Sequence, residues 1–298
     1  MDEQLEEKDR MGFEAYTHDD RGTEVIPHDR AEWQDWVSAS KTRNWCKHDP
    51  LLDWLDRYGV AKGFVQDGKP DERVDFQEFV FRQGHAFEAA VVAYLNTQDE
   101  VRSFEAGMDW SMSIEGCQRT FDAMTEGVSL IHQGVVRNPE TRTYGATDLL
   151  IRSDVLVRLF PDALTESEAA IGAPGIGSPN WHYRVVDIKF TNLVLDSNWH
   201  AGNDHLAYMA QVVVYNDALG RIQGYLPTTS YLLGRGWAKG KKEAGSTSCM
   251  NRLAPVQNDH VVKGEPLAVI VTQATNWVRR LRCEGHDWDP RVQAELRP

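Results

Sequence analysis

The stretch Tyr183-Arg184-Val185-Val186-Asp187-Ile188-Lys189-Phe190 decides how this chain reads. As a strand, its side chains alternate between the two faces of a sheet. Val186, Ile188 and Phe190 then share one face, suited to a core, while Asp187 and Lys189 share the other. The second face presents a carboxylate and an amine side by side, with room for a metal ion and a water between them. A lone D-x-K is a common pattern of solvated strand faces. Its weight here comes from what surrounds it.

Upstream, Tyr144-Gly145-Ala146-Thr147-Asp148-Leu149-Leu150-Ile151-Arg152 reads as another strand, with Asp148 among apolar neighbours. Two carboxylates converging on one point repel unless a cation lies between them. Their hard oxygens suit Mg²⁺ or Mn²⁺, which keep waters and bind phosphate oxygens. Such an ion polarises a phosphodiester. Lys189 would stand near the attacking water, to orient it, to steady its developing charge, or to act as a base if its pKa is depressed.

The flanking elements follow from periodicity. Residues 75–95 carry Phe76, Phe79, Val80, Phe87, Val91 and Tyr94 at helical spacing, which predicts one apolar stripe with Glu88 at its margin, a turn after Gly84. Residues 204–219 form a second helix, capped by Asp204 and closed by Gly220, on which Gln211 and Tyr215 share a face. A helix start is read at 38–45, a short helix at 51–55, strands at 128–136, 154–160 and 230–234, and a basic turn at 239–242. A glycine- and proline-rich surface loop spans 161–180. A last helix covers 266–282, with Pro266 in its first turn. The order of helix, strands, helix, strand, helix predicts an α/β (α+β) core with a mixed central β-sheet flanked by helices. Residues 1–35 read as an acidic, polar N-terminal arm.

Composition narrows the classes. The 298 residues are 41% hydrophobic and 26% charged, as in an ordinary globular chain. No apolar run approaches the roughly 18 residues that span a bilayer, and the acidic start lacks a signal-like apolar segment, so a cytoplasmic, non-membrane protein is expected. A formal net charge of -13 argues against a broadly basic surface for nonspecific nucleic-acid binding but leaves room for a local groove. Arg43, Lys47, Arg82, Arg142, Arg152, Arg235, Lys239, Lys241 and Lys242 are the cations for such a groove. Four cysteines, at 46, 117, 249 and 283, include no C-x-x-C pair. Reduced, mostly buried thiols follow, rather than a zinc site or a disulfide framework.

Taken in order, Gly84-x-x-x-Glu88, Gly145-Ala146-Thr147-Asp148, Asp187-Ile188-Lys189 and Gln211-x-x-x-Tyr215 resemble the motif set of the RecB-like branch of the PD-(D/E)XK nucleases. The resemblance covers about residues 75–235. It implies a restriction-endonuclease-like core, with the metal site at the ends of two adjacent strands, in a single nuclease domain over 36–298. It also implies that Asp148 and Asp187 bind Mg²⁺ or Mn²⁺, with Ile188 lending its carbonyl and Glu88 completing the site. Lys189 becomes the catalytic lysine, and Gln211 and Tyr215 position substrate. Many relatives carry histidine where this chain has Glu88, and glutamate is an acceptable oxygen ligand. One branch holds an iron–sulfur cluster on one cysteine before the core and three closely spaced after it. Here only Cys249 and Cys283 follow, far apart, so no cluster is expected. The function implied is a metal-dependent nuclease acting on DNA rather than RNA. The alternatives are a non-catalytic nucleic-acid-binding module, or a nuclease subunit active only with a helicase or other protein partner.

Overall fold

A computed structural model describes residues 12–64, 76–240 and 248–297. Seven strands build one mixed sheet: β1 (Val37–Ser38), β2 (Val101–Ser103), β3 (Leu130–Asn138), β4 (Thr143–Arg152), β5 (Tyr183–Leu195), β6 (Thr229–Lys239) and β7 (Ala254–Gln257). The spatial order is β2-β3-β4-β5-β6-β7, with β1 beside the start of β4. The β2/β3 and β5/β6 pairs are parallel; β3/β4, β4/β5 and β6/β7 are antiparallel. A separate two-stranded ribbon joins β8 (Val261–Val262) to β9 (Glu265–Pro266).

Five longer helices cover the sheet: α1 (Phe76–Leu95), α2 (Ile114–Thr125), α3 (Ser153–Leu159), α4 (Leu206–Gln223) and α5 (Leu267–Glu284). The alternation in the central strands sorts the core into two layers. Leu149, Ile151, Val186, Ile188, Tyr231 and Leu233 pack with α1 and α3. Leu150, Val185 and Leu232 point the other way, into the layer built by α2 and α4. Each fully buried leucine or valine contributes about 2 kcal/mol of hydrophobic stabilisation. Asp187 and Lys189, out of phase with Val186 and Ile188, therefore stand on the α4 side. A third cluster joins α5 to residues 37–58 through Trp54, Trp277, Val278, Leu281 and Trp288. The Trp45 and Trp277 rings stack there at 5.5 Å, so these tryptophans are structural. No helix among the described residues is long and apolar enough to cross a membrane.

Several expectations need correction. Residues 154–160 are not a strand. Val155, Leu156 and Val157 belong to α3, and Val155 and Leu156 are buried against the α1 layer. The stripe on α1 is rotated: Val91 and Leu95 are buried, whereas Phe79, Val80 and Tyr94 are exposed. Asp204 does not cap α4; a 3-10 turn over Asn203–His205 precedes the helix, and His205 holds the cap position without a side-chain bond. The helix continues through Gly220 to Gln223 and ends at Gly224, whose φ of 67° suits glycine. The 161–180 stretch is anchored rather than loose: Leu164, Ala169, Ala173 and Ile176 are buried, and Thr165 and Glu168 form a capping box. The arm is also anchored, since Tyr16 is fully buried in the α2/α4 layer. Residues 1–11, Asp75, Lys241 and Lys242 lie outside the described residues.

Candidate active site

The site begins where two strands stop pairing. The β4/β5 ladder runs from Arg152↔Tyr183 to Leu149↔Val186 and ends there. The next residues along each strand are Asp148 and Asp187. Freed from the ladder, the Ile188 amide donates instead to Asp148 Oδ2 at 2.7 Å. A side-chain carboxylate thus replaces a backbone carbonyl, which keeps a buried donor satisfied. Lys189 closes the group, its Nζ 2.6 Å from Asp187 Oδ2 and 3.8 Å from Asp148 Oδ2.

Asp187 is 0% exposed, yet neither of its carboxylate oxygens receives a directed hydrogen bond. The Lys189 ammonium is the one cationic partner of Oδ2, and Oδ1 is the oxygen left without a partner. Burial pushes the Asp187 pKa up; Lys189 draws it down, Asp148 raises it, and the net shift is upward. For Lys189, burial opposes the charged form, but the Asp187 and Asp148 carboxylates outweigh it and hold the amine protonated. With the two carboxylates beside it the amine is held charged, which favours the orienting and charge-steadying roles of Lys189 over that of a base.

Helix α4 supplies the wall behind the carboxylates. Tyr215 is buried, and its ring lies directly on Gly145; a Cβ there would fall 2.6 Å from Tyr215 Cε1. Glycine in the Gly145-Ala146-Thr147-Asp148 run is thus a close-approach requirement. Gln211 Nε2 donates to the Tyr215 hydroxyl at 3.0 Å. Burial, then Asp187 and Asp148, raise the Tyr215 pKa, so the phenol stays neutral. Because Tyr215 is enclosed, it positions Gln211 and the β4 backbone rather than meeting an external ligand itself.

Glu88 sits apart from the lysine. Its Oε1 accepts from His132 Nε2 at 3.0 Å and from Gln133 Nε2 at 2.7 Å. Burial pushes the Glu88 pKa up, but these two donors prevail and hold it below the ordinary range. Gln133 lies between His132 and Gly134, which pair with Leu149 and Thr147, so it stands across from Asp148 on β3. Its φ of 57° is in the left-handed region, uncommon for a non-glycine residue. His132 also reaches Ser103 Oγ at 3.3 Å through Nδ1. Sequence reasoning missed His132 and Gln133 as holders of Glu88; the signal available was a polar pair inside an otherwise apolar strand. Gly84 meets nothing within 4 Å, so packing does not explain it. His85 turns outward and sets its ring edge-on against Phe81.

The structure thus gathers Asp148, Asp187 and Lys189, backs them with Gln211 and Tyr215, and sets Glu88 one strand away. Among the described residues, no three histidine, cysteine, aspartate or glutamate side chains are grouped as a ready-made metal cage. The chemistry of the pair still fits a hard divalent cation. Asp187 Oδ1 is buried without a donor, Oδ2 meets only the Lys189 ammonium, and the Asp148 carboxylate lies beside them, so the pair supplies hard oxygen ligands. A scan of the chain against models of known protein families finds no match, and a search of curated proteins finds none either.

Proposed function

We propose that this protein is a divalent-metal-dependent nuclease with a restriction-endonuclease-like core of the RecB-like PD-(D/E)XK type. One observation carries the reading: Asp148 and Asp187 meet at the point where β4 and β5 part, with the Lys189 ammonium against them and Asp187 Oδ1 buried without a donor. Buried acceptors left without donors are costly, and they persist where a ligand is meant to meet them. Asp148 and Asp187 would hold Mg²⁺ or Mn²⁺, with Glu88, held one strand away by His132 and Gln133, as the further carboxylate. The ion, when bound, supplies Lewis-acid polarisation of the phosphodiester. Lys189 contributes charge and position, orienting the attacking water and steadying the negative charge that gathers on phosphate oxygens. Gln211, held by Tyr215, orients the substrate backbone. DNA is the proposed substrate.

The test is cleavage of labelled linear DNA in Mg²⁺ or Mn²⁺. Wild-type protein should degrade it, chelator should stop the reaction, and Asp187→Ala and Lys189→Ala should each slow it by at least about a hundredfold. Wild-type rates from both variants, with the fold intact by circular dichroism, would sink the assignment.

A further inference from the structure

A cleft of about 540 Å³ opens beside the carboxylate–lysine group. Its wall includes Tyr208, whose ring centroid lies 5.6 Å from Lys189 Nζ, and Thr191, two residues beyond Lys189 on β5. The rim comes from stretches far apart in sequence: Lys47 and His48 after the short helix Arg43–Cys46, and Lys263 from the turn between β8 and β9. All three side chains are exposed.

Their backbone is unusual. His48 and Lys263 have φ values of 57° and 52°. Among the described residues only five non-glycine positions have positive φ, and two of them face each other here, with Lys263 Nζ donating to His48 Nε2 at 3.5 Å. Glycine would hold either turn without strain, yet both positions carry a basic side chain aimed at one cleft. Among the described residues, neither Lys47 nor Lys263 forms a salt bridge, although Asp204 also lines the cleft. Burial and the nearby Arg43 both pull the Lys47 pKa down, as expected of a cation without a compensating acid. In a chain of net charge -13, two lysines and a histidine around one opening, against the single lining acid Asp204, suit an anionic ligand.

The wall adds the half-buried ring of Tyr208, backed by the buried His205. Tyr208 and His205 stack at 6.1 Å with 16° between their planes, and the Val194 amide fixes the imidazole by donating to His205 Nε2 at 3.0 Å. Cations beside a stacking surface are the signature of single-stranded nucleic-acid binding. The volume lies within the ~300–1,000 Å³ that holds a small ligand, enough for a nucleotide or two.

We infer that this cleft binds the sugar–phosphate backbone of one nucleic-acid strand, with Lys47, His48 and Lys263 contacting phosphates and guiding the strand to Lys189. The inference rests on the nuclease reading but is tested apart from it. Binding of a labelled single-stranded oligonucleotide is followed by fluorescence anisotropy in chelator, where no cleavage occurs, over a range of salt concentrations. Wild-type protein should bind, and Lys47→Ala/Lys263→Ala should weaken binding by roughly tenfold and lower the salt slope by about 1.4, or ~0.7 for each phosphate that is no longer neutralised. Lys263→Gly should raise the melting temperature, by relieving the turn, and weaken binding.

Equal affinity and salt slope in wild type and double variant would overturn the inference, even if the protein cuts DNA. So would no single-strand binding by the wild type, or preference for duplex. Lys263→Gly binding as wild type does would assign that lysine to the turn alone and overturn its phosphate role. Salt-sensitive binding through these residues without cleavage in Mg²⁺ or Mn²⁺ would uphold the cleft and remove the nuclease reading.

Discussion

Strand β5 carries two buried charges that are treated in opposite ways. Near its start, Arg184 is fully buried and nearly satisfied: Nε donates to His182 Nε2 at 2.7 Å and Nη1 to the Thr229 carbonyl at 3.0 Å. His182 in turn donates from Nδ1 to the Ile171 carbonyl at 2.8 Å, so one neutral tautomer serves both bonds. Only Arg184 Nη2 is without a partner. Three residues on, Asp187 is equally buried, but its Oδ1 has no donor and its Oδ2 meets only the Lys189 ammonium. The first group is built to hold the fold; the second is held by the fold for something else. Burial alone would not separate them. The hydrogen-bond inventory does, because an unmet buried acceptor costs stability unless a ligand meets it.

The sharpest way to break this contrast is to neutralise each charge. Asp187→Asn should abolish cleavage, a loss of about a thousandfold, while leaving the melting temperature at or above that of the wild type. Its ionised form is disfavoured by burial, and Lys189 keeps Asp148 as a partner. Thermal denaturation and a cleavage assay on the same preparation check both halves; a large drop in stability would make Asp187 a structural residue like Arg184. Arg184→Met should do the reverse. It leaves His182 Nε2 and the Thr229 carbonyl without their donor, at a cost of about 3 kcal/mol in chemical denaturation. An undiminished stability would show that the Arg184 network is not holding the sheet.

The smallest effect is on pH dependence. Burial lowers the His182 pKa from 6.5 to about 4. The folded state therefore favours neutral imidazole. Its contribution to stability is complete above about 6.5 and is lost as pH falls toward 4. Between pH 7 and pH 5 the wild type should lose about 2 kcal/mol more than His182→Gln, measured by denaturant titration at each pH. Parallel curves for the two proteins would remove His182 from the account.

Legibility in the sequence followed the range of the interactions. The two-faced β5 strand was readable because alternation is local, and the structure sends Val186 and Ile188 to one layer and Asp187 to the other. Helix α4 was readable for the same reason, except at its ends. Helix α2 is not legible in the sequence, because Gly116, Cys117 and Thr120 occupy its buried face and blur the apolar period. Residues 154–159 looked like a strand because β-branched valines flank Leu156, but tertiary packing on β4 made them a helix. On α1 the spacing predicted a helix but not which side is buried, since apolar residues lie on more than one side. At the site, Asp148, Asp187 and Lys189 were proposed from sequence and are brought together. The His132 and Gln133 bonds to Glu88 were not, because they cross 44 and 45 residues of chain. Nor was the role of Gly145, which depends on a ring 70 residues away landing on its Cα.

The parting of β4 from β5 after Leu149↔Val186 has a consequence for how this site tolerates change. Its geometry is set by counting. Sliding either strand by one position would put Leu149 where Asp148 stands, or Ile188 where Asp187 stands, and send the acid to the opposite layer. There is no intermediate placement with half the function. Natural variation should therefore be free to reshape the loops and helices around these strands, while insertions or deletions within either strand are all-or-nothing events.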